Sequence, residues 1–262
     1  MKHDPRIALA ISGFPRHYEK TFESVRKWII EPYRTKTYPA IYEPFAEREY
    51  ERTVWPYNCR SYFRKQFIDE FYECFQPIGV PDVQCFMDEL PRIITESSGL
   101  PKHTARDYAN RAMWSRWERI RRTGELIREG IPHERYGGYD LVFHWRTDLY
   151  IYEMDLDFSA VCNSNKLYVP SENGQGFSVG LHGEFHKDGG IVDVMWVCKP
   201  EIHYAICTLL DHIKSYVSSG VMCFQEVIFG HHLRRLGIEV EVFPAKITFP
   251  DLFHQPFPYE ER

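Results

Sequence analysis

The chain has no long apolar run. The one nearest the N-terminus, in MKHDPRIALAISGFPRHYE, is interrupted by Ser12 and Gly13. It is too short for the hydrophobic region of a secretory signal, and far short of the roughly twenty apolar residues that span a bilayer. No other stretch comes closer, so the expectation is a soluble, cytoplasmic protein with no membrane span. The seven cysteines are odd in number and scattered, with no C-x-x-C pair. That is neither a disulfide framework nor a zinc site, and reduced thiols are the natural reading. G-x-G-x-x-G and Walker A are both missing, and no cysteine stands in a catalytic context. The classical dinucleotide and NTPase readings therefore have no signature here. A net charge of −5 argues against a general nucleic-acid binder. No repeat, linker or low-complexity stretch divides the chain, so one α/β domain is expected over residues 1–262.

Aromatic residues, by contrast, are plentiful at 16%; they fill cores and also line pockets for sugars and bases. RIALAISGF (6–14) reads as a buried strand. RHYEKTFESVRKWIIEPY continues it as a helix, with Tyr18, Phe22, Val25 and Ile29 in helical phase and Pro32 as its end. A second strand is expected within 38–45. Phe63, Phe67, Phe71 and Phe75 mark an amphipathic helix over 61–75, and VPDVQCFM a short strand. The prolines and Ser-Ser-Gly of LPRIITESSGLPKHT indicate a loop. A long helix spans about 105–129. Ala109, Met113, Trp117, Ile120 and Ile127 form its inner face, and Arg111, Arg116, Arg119 and Arg122 read as a solvated outer face paired with Glu118 and Glu125. The central strand and its exit are expected at 137–152, further strands at 165–170 and 191–201, a Gly-rich loop from 171, helices at 201–217 and 224–237, and a last strand at 238–248.

Chemistry concentrates in YDLVFHWRTDLYIYEMDLDFS (139–159). Open α/β sheets gather ligands beyond the carboxyl ends of their strands, and Arg146 and Asp148 stand at such an end. A carboxylate there suits a hard divalent cation such as Mg²⁺ or Mn²⁺, which shares oxygen ligands with a diphosphate. The arginine suits the same phosphates, or holds the aspartate; the plainer alternative is an Arg–Asp pair closing a strand. Asp155 and Asp157 form the one literal D-x-D, whose setting favours a solvated turn or the cap of a short helix. Asp193 enters a strand just after Gly189 and Gly190. It is placed to receive an acceptor hydroxyl or a sugar, or else is a turn residue. Glu226 lies near a helix start, where the helix dipole stabilises its charge. His231 and His232 are adjacent on a helix and point in different directions, so at most one faces any site, and core or surface positions are the simpler reading.

Taken in order, IALAISGFPRHYEKTFESVRKWIIEPY, YGGYDLVFHWRTDLYIYEMDL, NKLYVP, GGIVDVMWVCKPE and QEVIFGHHLRRLGIEVEVF resemble a family of glycosyltransferases with a GT-A-like fold, known from bacterial polysaccharide loci and large viruses. The likeness covers roughly the first 35 residues and nearly everything from 105 onward; residues 36–104 are the variable segment, and YPAIYEPFAEREY departs from that family's second strand. The resemblance implies a Rossmann-type mixed sheet flanked by helices. It also implies transfer of a sugar from a nucleotide-diphosphate donor to an acceptor hydroxyl, as in glycan or polysaccharide synthesis. Asp148 matches the position that does the work of D-x-D and would hold Mn²⁺ or Mg²⁺, with Arg146 as its partner. Ser12, Gly13 and Arg16 match the turn beside the nucleotide, and Asp193 and Glu226 the acidic positions near the acceptor and reacting centre. An inverting enzyme needs a base there, and Asp193 is slightly preferred over Glu226; a retaining one needs none. Two other readings stay open: a metal-dependent phosphohydrolase or nuclease using Asp148, Asp193 and Glu226, and a non-catalytic nucleotide- or glycan-binding member of the fold.

Overall fold

The computed structural model describes residues 5–13, 18–33, 35–43, 48–54, 57–63, 82–85, 104–130, 138–172, 190–191, 193–221 and 225–248. The chain opens with strand β1 (Ile7–Gly13) and helix α1 (Tyr18–Val25), which widens into a π-helical turn (Arg26–Ile30) before a last turn, Glu31–Tyr33. Pro32 has no amide hydrogen and crowds the carbonyl four residues back, a strain that a widened turn relieves. Strands β2 (Lys36–Glu43), β3 (Arg48–Val54), β4 (Tyr57–Phe63) and β5 (Asp82–Cys85) follow, then the long helix α2 (Thr104–Gly130). The second half holds β6 (Leu141–Arg146), β7 (Tyr150–Met154), the short helix α3 (Phe158–Cys162), β8 (Leu167–Glu172) and β9 (Met195–Cys198). Helices α4 (Pro200–Cys207), α5 (Leu209–Ser218) and α6 (Gln225–Leu236) and strand β10 (Val240–Thr248) complete it.

Eight strands form one mixed sheet in the order β5-β2-β1-β6-β9-β8-β10-β7, while β3 and β4 pair as a separate antiparallel hairpin. The half-sheet β5-β2-β1-β6 is parallel throughout. Strand β9 runs against both its neighbours, and β10 runs parallel to β8 and antiparallel to β7. The fold is thus a mixed α/β sheet flanked by helices. No helix among the described residues is long and apolar enough to cross a membrane. Cys162, Cys198 and Cys207 are free thiols.

Strand parity divides the core into layers, because successive side chains point to opposite faces. Ile7, Leu9 and Ile11 of β1 and Leu141, Phe143 and Trp145 of β6 pack with Val25 and Ile29 of the first helical segment. Ala8, Ala10 and Val142 on the other face pack with Ile127 of α2. The two alanines let the long helix lie close to the sheet. Farther along, Trp117 and Ile120 of α2 join Trp196, Cys198, Leu167 and Val169 and the apolar faces of α4, α5 and α6. Helix α6 stops at Gly237, where φ is +67° and Ile238 N–H bonds back to the Leu233 carbonyl at 3.0 Å. Such a backbone suits glycine and turns the chain straight into β10.

Three expectations need correction. Residues 61–63, read as the start of an amphipathic helix, close strand β4 instead, and the rest of that helix falls outside the described residues, as do residues 90–103 of the 90–104 loop and most of the Gly-rich loop. The helix expected over 201–217 is two helices: the Thr208 hydroxyl bonds back to the Ala205 carbonyl at 2.8 Å, a local bond that competes with continuing the helix. Of Arg116 and Arg119, assigned to a solvated face of the long helix, Arg119 is completely buried and the Arg116 side chain is only 10% exposed.

Candidate functional site

The same parity that builds the core aims the site. Ala8, Ala10 and Ser12 share one face of β1; Val142, His144 and Arg146 share that face of β6, and Ser12 and Arg146 are register partners at the carboxyl ends. β1 is joined in sequence to β2 on one side and bonded to β6 on the other, so the strand order reverses between these two ends. That is where open α/β sheets form their ligand crevice. Helix α2 covers this face at Ile127. Arg116 stands eleven residues before Ile127, about 16 Å along the axis at the α-helical rise, and so reaches the same carboxyl ends.

Arg146 and Asp148 sit on either side of the turn that leaves β6. Leu149 N–H bonds to the Arg146 carbonyl at 3.0 Å, and Trp145 Nε1 donates to the Leu149 carbonyl at 2.9 Å, which fixes that turn from beneath. Arg146 grips Asp148 with two nitrogens: Nε donates to Oδ1, and a terminal nitrogen donates to Oδ2 at 3.1 Å. The aspartate side chain is 8% exposed and the arginine 21%. Burial alone would weaken the Arg146 guanidinium as a base, but Asp148, then Asp193 and Glu226, outweigh it and raise its pKa. The Arg146 amide also bonds to the Val194 carbonyl at 3.2 Å, which brings the Asp193–Val194 segment alongside.

Asp193 is 1% exposed and is held from two helices. From α2, Arg116 Nε lies 2.7 Å from Asp193 Oδ2, and a terminal nitrogen of the same guanidinium donates to the Asp193 carbonyl. From the first turn of α6, Gln225 Nε2 donates to Oδ2. Ile191 N–H donates to the Glu226 carbonyl at 2.9 Å, stitching that turn to the segment before β9. Burial lowers the Arg116 pKa to about 10, against the pull of Asp193, so the guanidinium stays charged at neutral pH. Glu226 has no ion-pair partner among the described residues. Its carboxyl is pushed up to about 7, first by burial and then by the charge of Asp193, with Arg116 and Arg146 offsetting part of the rise.

Arg116, Arg146, Asp148, Asp193 and Glu226 thus form one electrostatic group, each felt at the Arg116 guanidinium. Behind it lies a fully buried aromatic layer. His144 stacks on Trp196 with ring centroids 3.7 Å apart and planes 11° off parallel, and its Nε2 is 3.3 Å from Ser12 Oγ. Burial, then the nearby His203, Arg116 and Arg146, hold the His144 pKa well below the usual imidazole value. A neutral ring follows, floor rather than charge.

The structure brings together Arg146, Asp148, Asp193 and Glu226, with Ser12 and Gly13 at the end of β1 beside them. Arg16 lies outside the described residues. The literal D-x-D stands apart: Asp155 is exposed, and Asp157 caps α3, its Oδ1 accepting from the amides of Ser159 at 2.9 Å and Ala160 at 3.3 Å. His232 is a core residue, with Nδ1 2.8 Å from the Tyr216 hydroxyl, and His231 is half-buried. Arg116 and Gln225 were not anticipated. Arg116 carried a readable signal, since it lies in helical phase with Ala109, Met113 and Ile120, the inner face of its own helix. Among the described residues, no three His, Cys, Asp or Glu side chains are grouped to hold a metal ion by themselves. The chain matches no known protein-family model and no curated protein.

Proposed function

We propose that this protein is a glycosyltransferase with a GT-A-like fold, moving a sugar from a nucleotide-diphosphate donor to an acceptor hydroxyl in the cytoplasm, in glycan or polysaccharide synthesis. The observation that carries the reading is the meeting of Arg116, Arg146, Asp148, Asp193 and Glu226 at the crevice where the strand order reverses. The parallel half-sheet supplies a nucleotide-binding scaffold, and the mixed charges suit a polar donor and a reaction that moves charge. A bare cluster of one sign would suit neither.

The chain's own residues divide the work by position. Arg146 is the cation nearest the β6 end and takes the charge that grows on the departing diphosphate. Ser12 and Gly13 form the neighbouring β1 end, which the nucleotide approaches. Asp148 offers hard oxygen ligands, which fits a divalent cation held by one carboxylate with the rest of its shell from the donor and water. When bound, Mn²⁺ or Mg²⁺ would supply Lewis-acid stabilisation of the diphosphate. Both Asp148 oxygens are engaged by Arg146, so Asp148 would hold a cation only with Arg146 turned from it towards the diphosphate. Asp193 and Glu226 lie on the acceptor side.

The test is thermal-shift binding of UDP, GDP, CDP, dTDP and their common sugar conjugates, with and without Mn²⁺, on the wild type and Asp148→Asn. A ligand at a hundred times its Kd should raise the midpoint by roughly 5 to 10 °C. Stabilisation by one nucleotide that depends on metal and is lost in the variant supports the reading and names the base. Metal-independent stabilisation keeps the transferase but leaves the diphosphate to Arg146 and Arg116. No shift with any of them overturns it in favour of a phosphohydrolase or a non-catalytic member of the fold.

A further inference from the structure

The acceptor side holds two carboxyl groups in unlike surroundings. Asp193 is almost wholly buried, and Arg116 and Gln225 both address its Oδ2, while Arg116 also holds its main-chain carbonyl. Three contacts from two helices leave this aspartate no freedom to turn. Glu226, the residue after Gln225, is only partly buried and has no cation of its own among the described residues. Two carboxyl groups that share a site separate into an ionised member and a proton-holding one, according to which has the cation.

We infer that Arg116 is a positioning residue that fixes Asp193 as the standing anion of this pair and so leaves Glu226 to take the proton from the acceptor hydroxyl. The acceptor itself rests on the glycosyl-transfer reading; the division of the pair does not. In a single displacement the acceptor oxygen forms its bond to the anomeric carbon as the bond from that carbon to the diphosphate oxygen breaks. The electron pair leaves with the diphosphate, and the hydroxyl proton passes to Glu226. The groups that bear on Glu226 are Asp193 before β9, Arg116 on α2 and Arg146 at the end of β6. Burial first and then the Asp193 charge, offset in part by Arg116 and Arg146, push its carboxyl up to about 7, where a general base works best. This reverses the order of preference that the sequence suggested, and the reason is Arg116.

The experiment is a carbon-13 NMR titration of side-chain carboxyl groups in protein labelled at Asp and Glu, which needs no donor, acceptor or metal. In the wild type, one Glu resonance should titrate near pH 7 and disappear in Glu226→Gln. Asp193→Asn should move that midpoint down, because the anion that raises it is gone. In Arg116→Gln, an Asp resonance should begin to titrate in the same range, the two curves becoming those of a coupled pair. Arg116→Lys, which keeps the charge, should preserve the single Glu titration. Neutral-range titration of Asp193 in the wild type overturns the inference, and so do unchanged Glu226 and Asp193 curves in Arg116→Gln. Should Arg116→Gln not fold, an unmoved Glu226 midpoint in Asp193→Asn is equally decisive. If nucleotides fail to bind while the titrations behave as expected, the glycosyltransferase reading falls and the division of the pair stands.

Discussion

Glu226→Gln offers a prediction that depends on folding alone. Folding carries this carboxyl from an ordinary 4.5 to about 7, so the native protein holds its proton more tightly than the unfolded chain does. The sign follows: the contribution to stability is complete below the unfolded value and is lost as pH rises through about 7. At about 1.4 kcal/mol per tenfold change in proton affinity, the full loss is on the order of 3 kcal/mol. Glu226 is partly open to water, so about 1 to 3 kcal/mol is the working range. Glutamine keeps the shape and cannot ionise. Urea unfolding of both proteins across this pH range should show the variant gaining on the wild type by that amount as pH rises. Taking the difference matters, because His203 and His232, depressed by burial to about 3 and about 4, give both proteins a stability that falls as pH drops from the usual imidazole value. That part cancels. A difference that is flat with pH, or that grows towards acid, would refute the reasoning about this carboxyl. A gain confirms that the protein keeps an ionisable group at a cost in stability, as functional sites do.

Two other substitutions separate neighbouring claims. Asp157→Ala should lower stability by about 1 kcal/mol through loss of the α3 cap and leave nucleotide thermal shifts unchanged; a lost shift would return the literal D-x-D to the site. Gly124→Ala should destabilise, although alanine is ordinarily the better helix residue by about 1 kcal/mol. Its Cβ would sit 2.7 Å from Cys207 Sγ, which is buried and bonded to the Ile120 carbonyl. Overpacking of this kind costs about 1 to 3 kcal/mol. Denaturant midpoints should show that cost shrinking in a Cys207→Ala background, and equal costs in both backgrounds would show that the sulfur is not the obstacle.

Much of the layout could be read from the chain because it depends on local pattern. IALAISG is apolar on both faces, so it had to be a strand covered on both sides, and the helical phase of Trp117, Ile120 and Ile127 marked the inward side of α2. The roles of Asp155 and Asp157 were also legible, since an acid just ahead of a short apolar turn is a natural cap. The hairpin β3–β4 was missed; REYERTV has four charged residues of seven and YNCRSYF mixes polar and aromatic ones, so no apolar alternation announces them. The break at Thr208 was missed because the apolar phase runs on across it, while the hydroxyl that interrupts the helix acts at short range.

By itself the sequence determined which residues end their strands in charge: Arg146 and Asp148 after β6, and Asp193 ahead of β9. Local composition also favoured a turn or a helix cap for the D-x-D pair, and Asp157 is such a cap. Only the tertiary structure decided who partners whom. Strand order set the β1 and β6 ends side by side, α2 laid Arg116 across them from a distant part of the chain, and the first turn of α6 delivered Gln225 and Glu226 to Asp193. The physical reason is that a carboxyl group's character is fixed by burial and by the nearest cation, and neither is a property of sequence neighbours. Asp193 and Glu226 are chemically near-equal in the chain; in the fold Arg116 and Gln225 hold the one, and burial pushes the carboxyl of the other up to about 7.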